Sequence, residues 1–271
     1  MPSSIASTTR FAPSRAMVET RLIGALALAA VVALAAPAAR AQTGPTGQAR
    51  YQACTTLADH DPESALEEAV QWRDEGGGAA ARHCLALALI RMGKFADAAA
   101  ELDALAGALG KKNLRLRPAV LDQAGQAWLR AQKPRKALAS FTGAIEARPD
   151  NVEYRIDRAL AYAAQGAYWE AVDDLNAAAD LAPDRADIYT YRASAYRYLD
   201  TLELAQVDVE RALALKPDDP VALLERGIVR RLQGDGAGAR ADWLKVVTLA
   251  PNTPAARAAQ TNLERLDVNP N

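Results

Sequence analysis

Residues 186–219 read ADIYTYRASAYRYLDTLELAQVDVERALALKPDD, and the block before them, 152–185, reads VEYRIDRALAYAAQGAYWEAVDDLNAAADLAPDR. Laid over one another, the two share a small residue (Ala159, Ala193) and an aromatic three later (Tyr162, Tyr196). They also share an alanine (Ala171, Ala205) and a proline (Pro183, Pro217). The proline recurs at Pro149 and Pro251, so four stand 34 residues apart. A fixed period of that length marks a stacked helical repeat. Each unit is too small to bury its apolar face alone and must bury it against its neighbours.

Counting back from each proline gives four units, 118–151, 152–185, 186–219 and 220–253. The first carries Gly125, Trp128, Ala137, Phe141 and Pro149, and the fourth Gly227, Arg230, Ala239, Trp243 and Pro251. Small residues allow two helices to approach closely, aromatics fill the space between units, and the proline stops the second helix. Gly166 and Gly234 suit the tight turn between the helices, since glycine tolerates positive φ. On these residues, 118–253 strongly resembles the tetratricopeptide repeat family. The resemblance implies an all-α chain, a right-handed α-solenoid of stacked antiparallel helix pairs. Arg230 departs from the aromatic position, which predicts a last unit packed by something other than another repeat. Residues 254–271 then form a C-terminal capping helix and tail. Upstream, 42–117 reads as divergent helix pairs followed by a basic connector, Lys111–Arg117.

The first 41 residues are of another kind. Leu22–Ala36 is unbroken and apolar, Arg15 and Arg21 precede it, and Ala39-Arg40-Ala41 follows. That is the build of a secretory signal peptide, so the expected mature start is Gln42 and the expected location periplasmic or secreted. Met17 is an alternative start. The apolar run is Ala-rich, is followed at once by Pro37 and is shorter than the ~20 residues of a span, so no membrane span is expected after cleavage. The chain has 32 Lys and Arg against 33 Asp and Glu. Four of the basic residues and one acidic residue fall in the leader, which leaves the mature part net acidic. A nucleic-acid partner is therefore not expected.

Cys54 and Cys84 lie on the first helices of adjacent predicted pairs. In an oxidising compartment such thiols pair. Two buried thiols packed as small hydrophobes are the other reading. Arg158, Arg192 and Arg226 precede the small residue of the first helix, and Asp174, Asp208 and Asp242 each follow 16 later. In the first unit both charges are missing together, as Ala124 and Ser140. Joint absence favours a structural clamp within each pair over a ladder gripping an anionic ligand.

The resemblance implies a concave groove lined by first helices. Its positions here are Asp122, Gln126 and Arg130; Ile156 and Leu160; Thr190, Ser194, Arg197 and Tyr198; and Leu224, Ile228 and Leu232. Ile156 with Leu160, and Leu224 with Ile228 and Leu232, are read as apolar stripes facing water, which mark a partner site. The basic carboxylate clamp known from one subclass is not matched, because Asp122, Asp157 and Asp187 stand among its positions. Enzyme chemistry finds no constellation. There are two histidines, His60 and His83, and no metal-ligand spacing, so neither catalysis, cofactor nor metal is expected. The resulting expectation is a monomeric, non-catalytic scaffold for a protein or peptide of the cell envelope. The alternative is a structural subunit acting by self-association through its end repeats. Export has a direct test: N-terminal sequencing of the envelope protein should begin at Gln42. A mature chain that keeps Leu22–Ala36 would be an anchored protein instead.

Overall fold

The computed structural model describes residues 47–268, so the leader and its cleavage site lie outside the described residues. Among the described residues there are thirteen α-helices and no strand. They fall into two compact units, divided between Tyr154 and Arg155. In both, consecutive helices pack against one another.

The first unit holds α1 (Gly47–His60), α2 (Pro62–Asp74), α3 (Gly78–Arg91), α4 (Phe95–Leu109), α5 (Arg117–Arg130) and α6 (Pro134–Ala147). Asp61 caps α2 by accepting from the Ser64 amide at 3.1 Å, and Pro62 opens the helix where no amide is needed. Cys54 and Cys84 form a disulfide with Cα atoms 6.2 Å apart, so α1 is tied covalently to α3. The bridge closes a stretch of 30 residues, worth roughly 3–4 kcal/mol in chain entropy. Around it Tyr51, Trp72, Leu85 and Leu89 build the local core.

The second unit starts at Arg155, inside α7 (Val152–Ala163). It continues through α8 (Tyr168–Leu181), α9 (Ala186–Tyr198), α10 (Leu202–Leu215), α11 (Pro220–Leu232), α12 (Gly236–Leu249) and α13 (Pro254–Val268). The first helix of one pair also touches the first helix of the next, α9 against α11. Within α11 and α12, a Cβ on Gly227 would overlap the indole of Trp243, as one on Gly125 would overlap Phe141 between α5 and α6. The turns between paired helices share one left-handed residue: Gly93, Gln132, Gly166, Asp200 and Gly234, with φ of 74°, 57°, 77°, 57° and 89°. Gln132 and Asp200 hold this conformation without glycine's freedom. Helix α13 packs on α11 and α12 through Ala255, Ala256, Ala259 and Leu266, and leaves Arg257, Gln260, Thr261 and Glu264 exposed. No helix among the described residues is long and apolar enough to cross a membrane.

His83 is buried between Tyr51, 2.7 Å from Nδ1, and the Gln123 side-chain oxygen, 2.9 Å from Nε2. Nε2–H donates to Gln123, which leaves Nδ1 to accept from the Tyr51 hydroxyl. Burial lowers the His83 pKa below the ordinary imidazole value. The unfolded chain takes up a proton below about pH 6.5 while the fold resists it, so stability is lost as pH falls through that value. The melting temperature should therefore fall more between pH 7.5 and 5.5 in the parent than in His83→Gln. Equal falls would assign the acid sensitivity to other groups.

Candidate functional site

The first-helix face divides into rows at helical spacing, and the structure treats those rows differently. Ile156 and Leu160, expected to face water, are buried, as are Thr190, Ser194 and Leu224. For Leu160 the cover comes from its own pair and from the next first helix. Leu160 lies in a small apolar pocket with Ala163 of α7, Tyr168 and Leu175 of α8, and Tyr191 and Tyr198 of α9. The expected apolar stripe at Ile156 and Leu160 is therefore core. The hydroxyls are engaged too: Thr190 donates to the Ala186 carbonyl at 3.1 Å, and Ser194 accepts from Arg197 at 3.2 Å.

What stays open is the outermost row. Tyr198 is 40% exposed and Leu232, 34 residues later in the same register, is 54% exposed. Ile228 is half-buried beside them on α11. The Tyr198 ring stacks on Tyr168 at 4.9 Å with planes 10° apart, and the Arg197 guanidinium lies 4.2 Å over the Tyr198 ring. Arg197 in turn donates to Glu225 of α11 at 2.5 Å. Burial disfavours the charged guanidinium, but Glu225 outweighs that and holds its pKa above the ordinary value. In the first unit, Gln126 donates to Asp122 at 3.0 Å and Arg130 lies 3.9 Å over the Phe95 ring, all half-buried.

The charge ladder is a set of two-pronged clamps. Arg158 meets both oxygens of Asp174 at 2.7 Å, Arg192 both of Asp208 at 2.7 Å, and Arg226 those of Asp242 at 2.9 and 2.6 Å. The three aspartates are 4% exposed, and the arginines keep about a fifth of their side-chain surface. Hydrogen bonding to Asp208 raises the Arg192 pKa, and hydrogen bonding to Asp242 raises that of Arg226. Two partners were not signalled by the period. Asn176 of α8 accepts from Arg192 at 2.8 Å, and Arg230 adds a bond to Asp242 at 2.8 Å, which gives the departure at Arg230 a role. Where the first unit lacks the charges, Asp103 of α4 accepts from the Trp128 indole at 2.7 Å and from Ser140 at 3.0 Å.

His60 is exposed at the end of α1, and His83 is engaged by Tyr51 and Gln123. Among the described residues no group of His, Cys, Asp and Glu is placed to hold a metal ion.

No family profile matches the chain, and no curated protein matches it. Solved structures do. MamA from Desulfovibrio magneticus RS-1, residues 41 to the end, superposes with a TM-score of 0.55 at 21% identity, over 64% of this chain and 94% of that one. YrrB, described as a TPR protein with an unusual peptide-binding site, gives 0.54 at 19% identity, over 64% and 88%. The C-terminal part of a TPR repeat-containing protein from Cytophaga hutchinsonii gives 0.58 at 12% identity, over 81% and 95%. At these identities the likeness is one of fold.

The clamps separate structure from ligand grip by experiment. Arg192→Ala strands the buried Asp208 carboxylate and should cost about 3 kcal/mol in denaturant unfolding. The exchanged pair, Arg192→Asp with Asp208→Arg, should recover part of it. An Arg192→Ala protein as stable as the parent would return the ladder to the ligand-grip reading.

Proposed function

We propose that this chain, which has the fold of the tetratricopeptide repeat, is a non-catalytic scaffold holding a protein or peptide of the cell envelope. The observation that carries the reading is the exposed row on α9 and α11. Tyr198 and Leu232 occupy equivalent repeat positions, both are open, and Arg197 and the Tyr168 stack hold the tyrosine ring in place. Rigid Tyr and Arg side chains beside an apolar neighbour make a contact surface with little conformational entropy to lose on binding. The partner lies along this row, with an apolar side chain against Leu232 and Ile228 and a polar or aromatic group at Tyr198 and Arg197. The leader sequence, with its Arg-flanked apolar run and Ala39-Arg40-Ala41, supports a periplasmic location. The polar outer face of α13 favours a scaffold over self-association through the last repeat.

Crosslinking in the envelope, followed by quantified capture of the crosslinked partner, tests the site. Leu232→Asp and Tyr198→Ala should each lower capture at least about fivefold. Leu232 is exposed, so its variant should keep helicity and melting temperature close to the parent. Tyr198 also lines the Leu160 pocket, and its variant is scored at a temperature where circular dichroism shows it folded. Undiminished capture by the double variant would move the binding surface away from the first helices. Sedimentation that shifts with protein concentration would favour the self-associating subunit.

A further inference from the structure

One stretch of the first unit has a charge balance unlike the rest. From Lys111 to Arg148 the sequence holds nine Lys and Arg against two Asp and Glu, whereas Gly47–Gly110 holds five against ten. The densest part is the connector between α4 and α5. Lys111, Lys112 and Arg115 are exposed, and between them Leu114 is 56% exposed. The connector is a built turn. The Asn113 amide donates to the Gly110 carbonyl at 3.2 Å, and the Leu114 amide to Lys112 at 3.0 Å. The Asn113 side chain accepts from the Leu116 amide at 3.1 Å. Arg148, exposed at the end of α6, donates to the Leu114 carbonyl at 3.3 Å and so brings a further cation beside the leucine. Among the described residues no carboxylate pairs with Lys111 or Lys112. Glu146 and Asp150, which flank Arg148 in sequence, are exposed as well and only partly offset this excess.

We propose that this connector, with Arg148, is a contact for an anionic lipid surface. A cluster of cations around one exposed leucine matches a surface that is anionic outside and apolar just beneath. A lipid interface presents such a surface wherever the connector meets it, and capture of an acidic protein is the competing outcome of the test. A leucine ringed by cations fits an interface. The side chain enters the boundary between headgroups and acyl chains while the ammonium and guanidinium groups meet the phosphates. The contact is peripheral and reversible, since one leucine buries little apolar area, and it weakens with salt because the attraction is screened. It is separate from the row at Tyr198 and Leu232 and does not depend on a partner there.

The test is flotation of the exported protein with two kinds of vesicle, one of phosphatidylglycerol and phosphatidylcholine, the other of phosphatidylcholine alone. Its N-terminus is first established by sequencing. The neutral vesicles report any contribution of a retained apolar leader. Binding to the anionic vesicles should exceed that background, fall at least about tenfold in Lys111→Glu with Lys112→Glu, and fall severalfold in Leu114→Ala. Lys133→Glu with Arg135→Glu, which alters the other end of the α5–α6 pair, should bind like the parent. Circular dichroism of each variant confirms that the fold is intact. No preference for anionic vesicles, or equal losses from both charge reversals, overturns the proposal. Unchanged binding by Leu114→Ala overturns the insertion of the leucine. Capture of an acidic protein by a connector that ignores vesicles assigns the patch to a protein instead.

Discussion

Everything in the structure hangs on how closely two helices of a pair can approach. At Gly125 and Gly227 there is no Cβ, and the space it would fill belongs to the rings of Phe141 and Trp243. Ala159 and Ala193 do the same work in the middle pairs, with Leu175 and Val209 opposite, and all four are buried. Once that distance is fixed, the turn between the helices has little freedom. Five residues at the same place in five turns take the left-handed conformation, whether or not they are glycine. Gln132 and Asp200 hold a backbone that costs about 1 kcal/mol or more for a residue with a side chain, so the packing, not the turn, dictates the conformation.

The Arg–Asp clamps follow from the same approach. A helix pair this close brings a carboxylate of the second helix under an arginine of the first, where neither is fully hydrated. A paired fork of hydrogen bonds offsets the desolvation. The first unit shows that the constraint is satisfaction of buried polar groups rather than charge as such. Ser140 stands where the others have aspartate, and Asp103 from the preceding helix meets both it and the Trp128 indole. Asn176 does a comparable thing for Arg192 from the preceding pair.

The pattern legible in the sequence was the part governed by a period. Small residues, aromatics, prolines and clamp residues each recur at 34. The small and clamp residues answer to contacts inside the pair, the aromatics to packing within and between pairs, and the prolines end the second helix. Contacts made by one residue with a non-equivalent one left no periodic trace. Asp103 with Ser140, Asn176 with Arg192 and Glu225 with Arg197 are of this kind. The candidate site was half visible for the same reason. Helical spacing correctly grouped Ile156 with Leu160 and Leu224 with Ile228 on one stripe. It could not show that Ile156, Leu160 and Leu224 are covered while Tyr198 and Leu232 stay open. Exposure is a property of the neighbour as much as of the residue.

The placement of the clamps bears on how such a chain can change length. Arg158, Arg192 and Arg226 each find their carboxylate 16 residues on, within their own 34-residue block. A block copied or deleted whole carries both halves of its clamp with it, so neither clamp partner is orphaned, and the pair exposed to the event is Arg197 with Glu225, which joins two blocks. The surfaces joining blocks combine small residues and aromatics that recur at the same places with polar contacts that do not, Asn176 with Arg192 and Glu225 with Arg197. Gain or loss of a repeat therefore leaves the clamps of every other repeat unaltered, and disturbs only the contacts at the joint, such as Asn176 with Arg192. The cost of changing length thus falls on the joints between repeats and not on the clamps inside them.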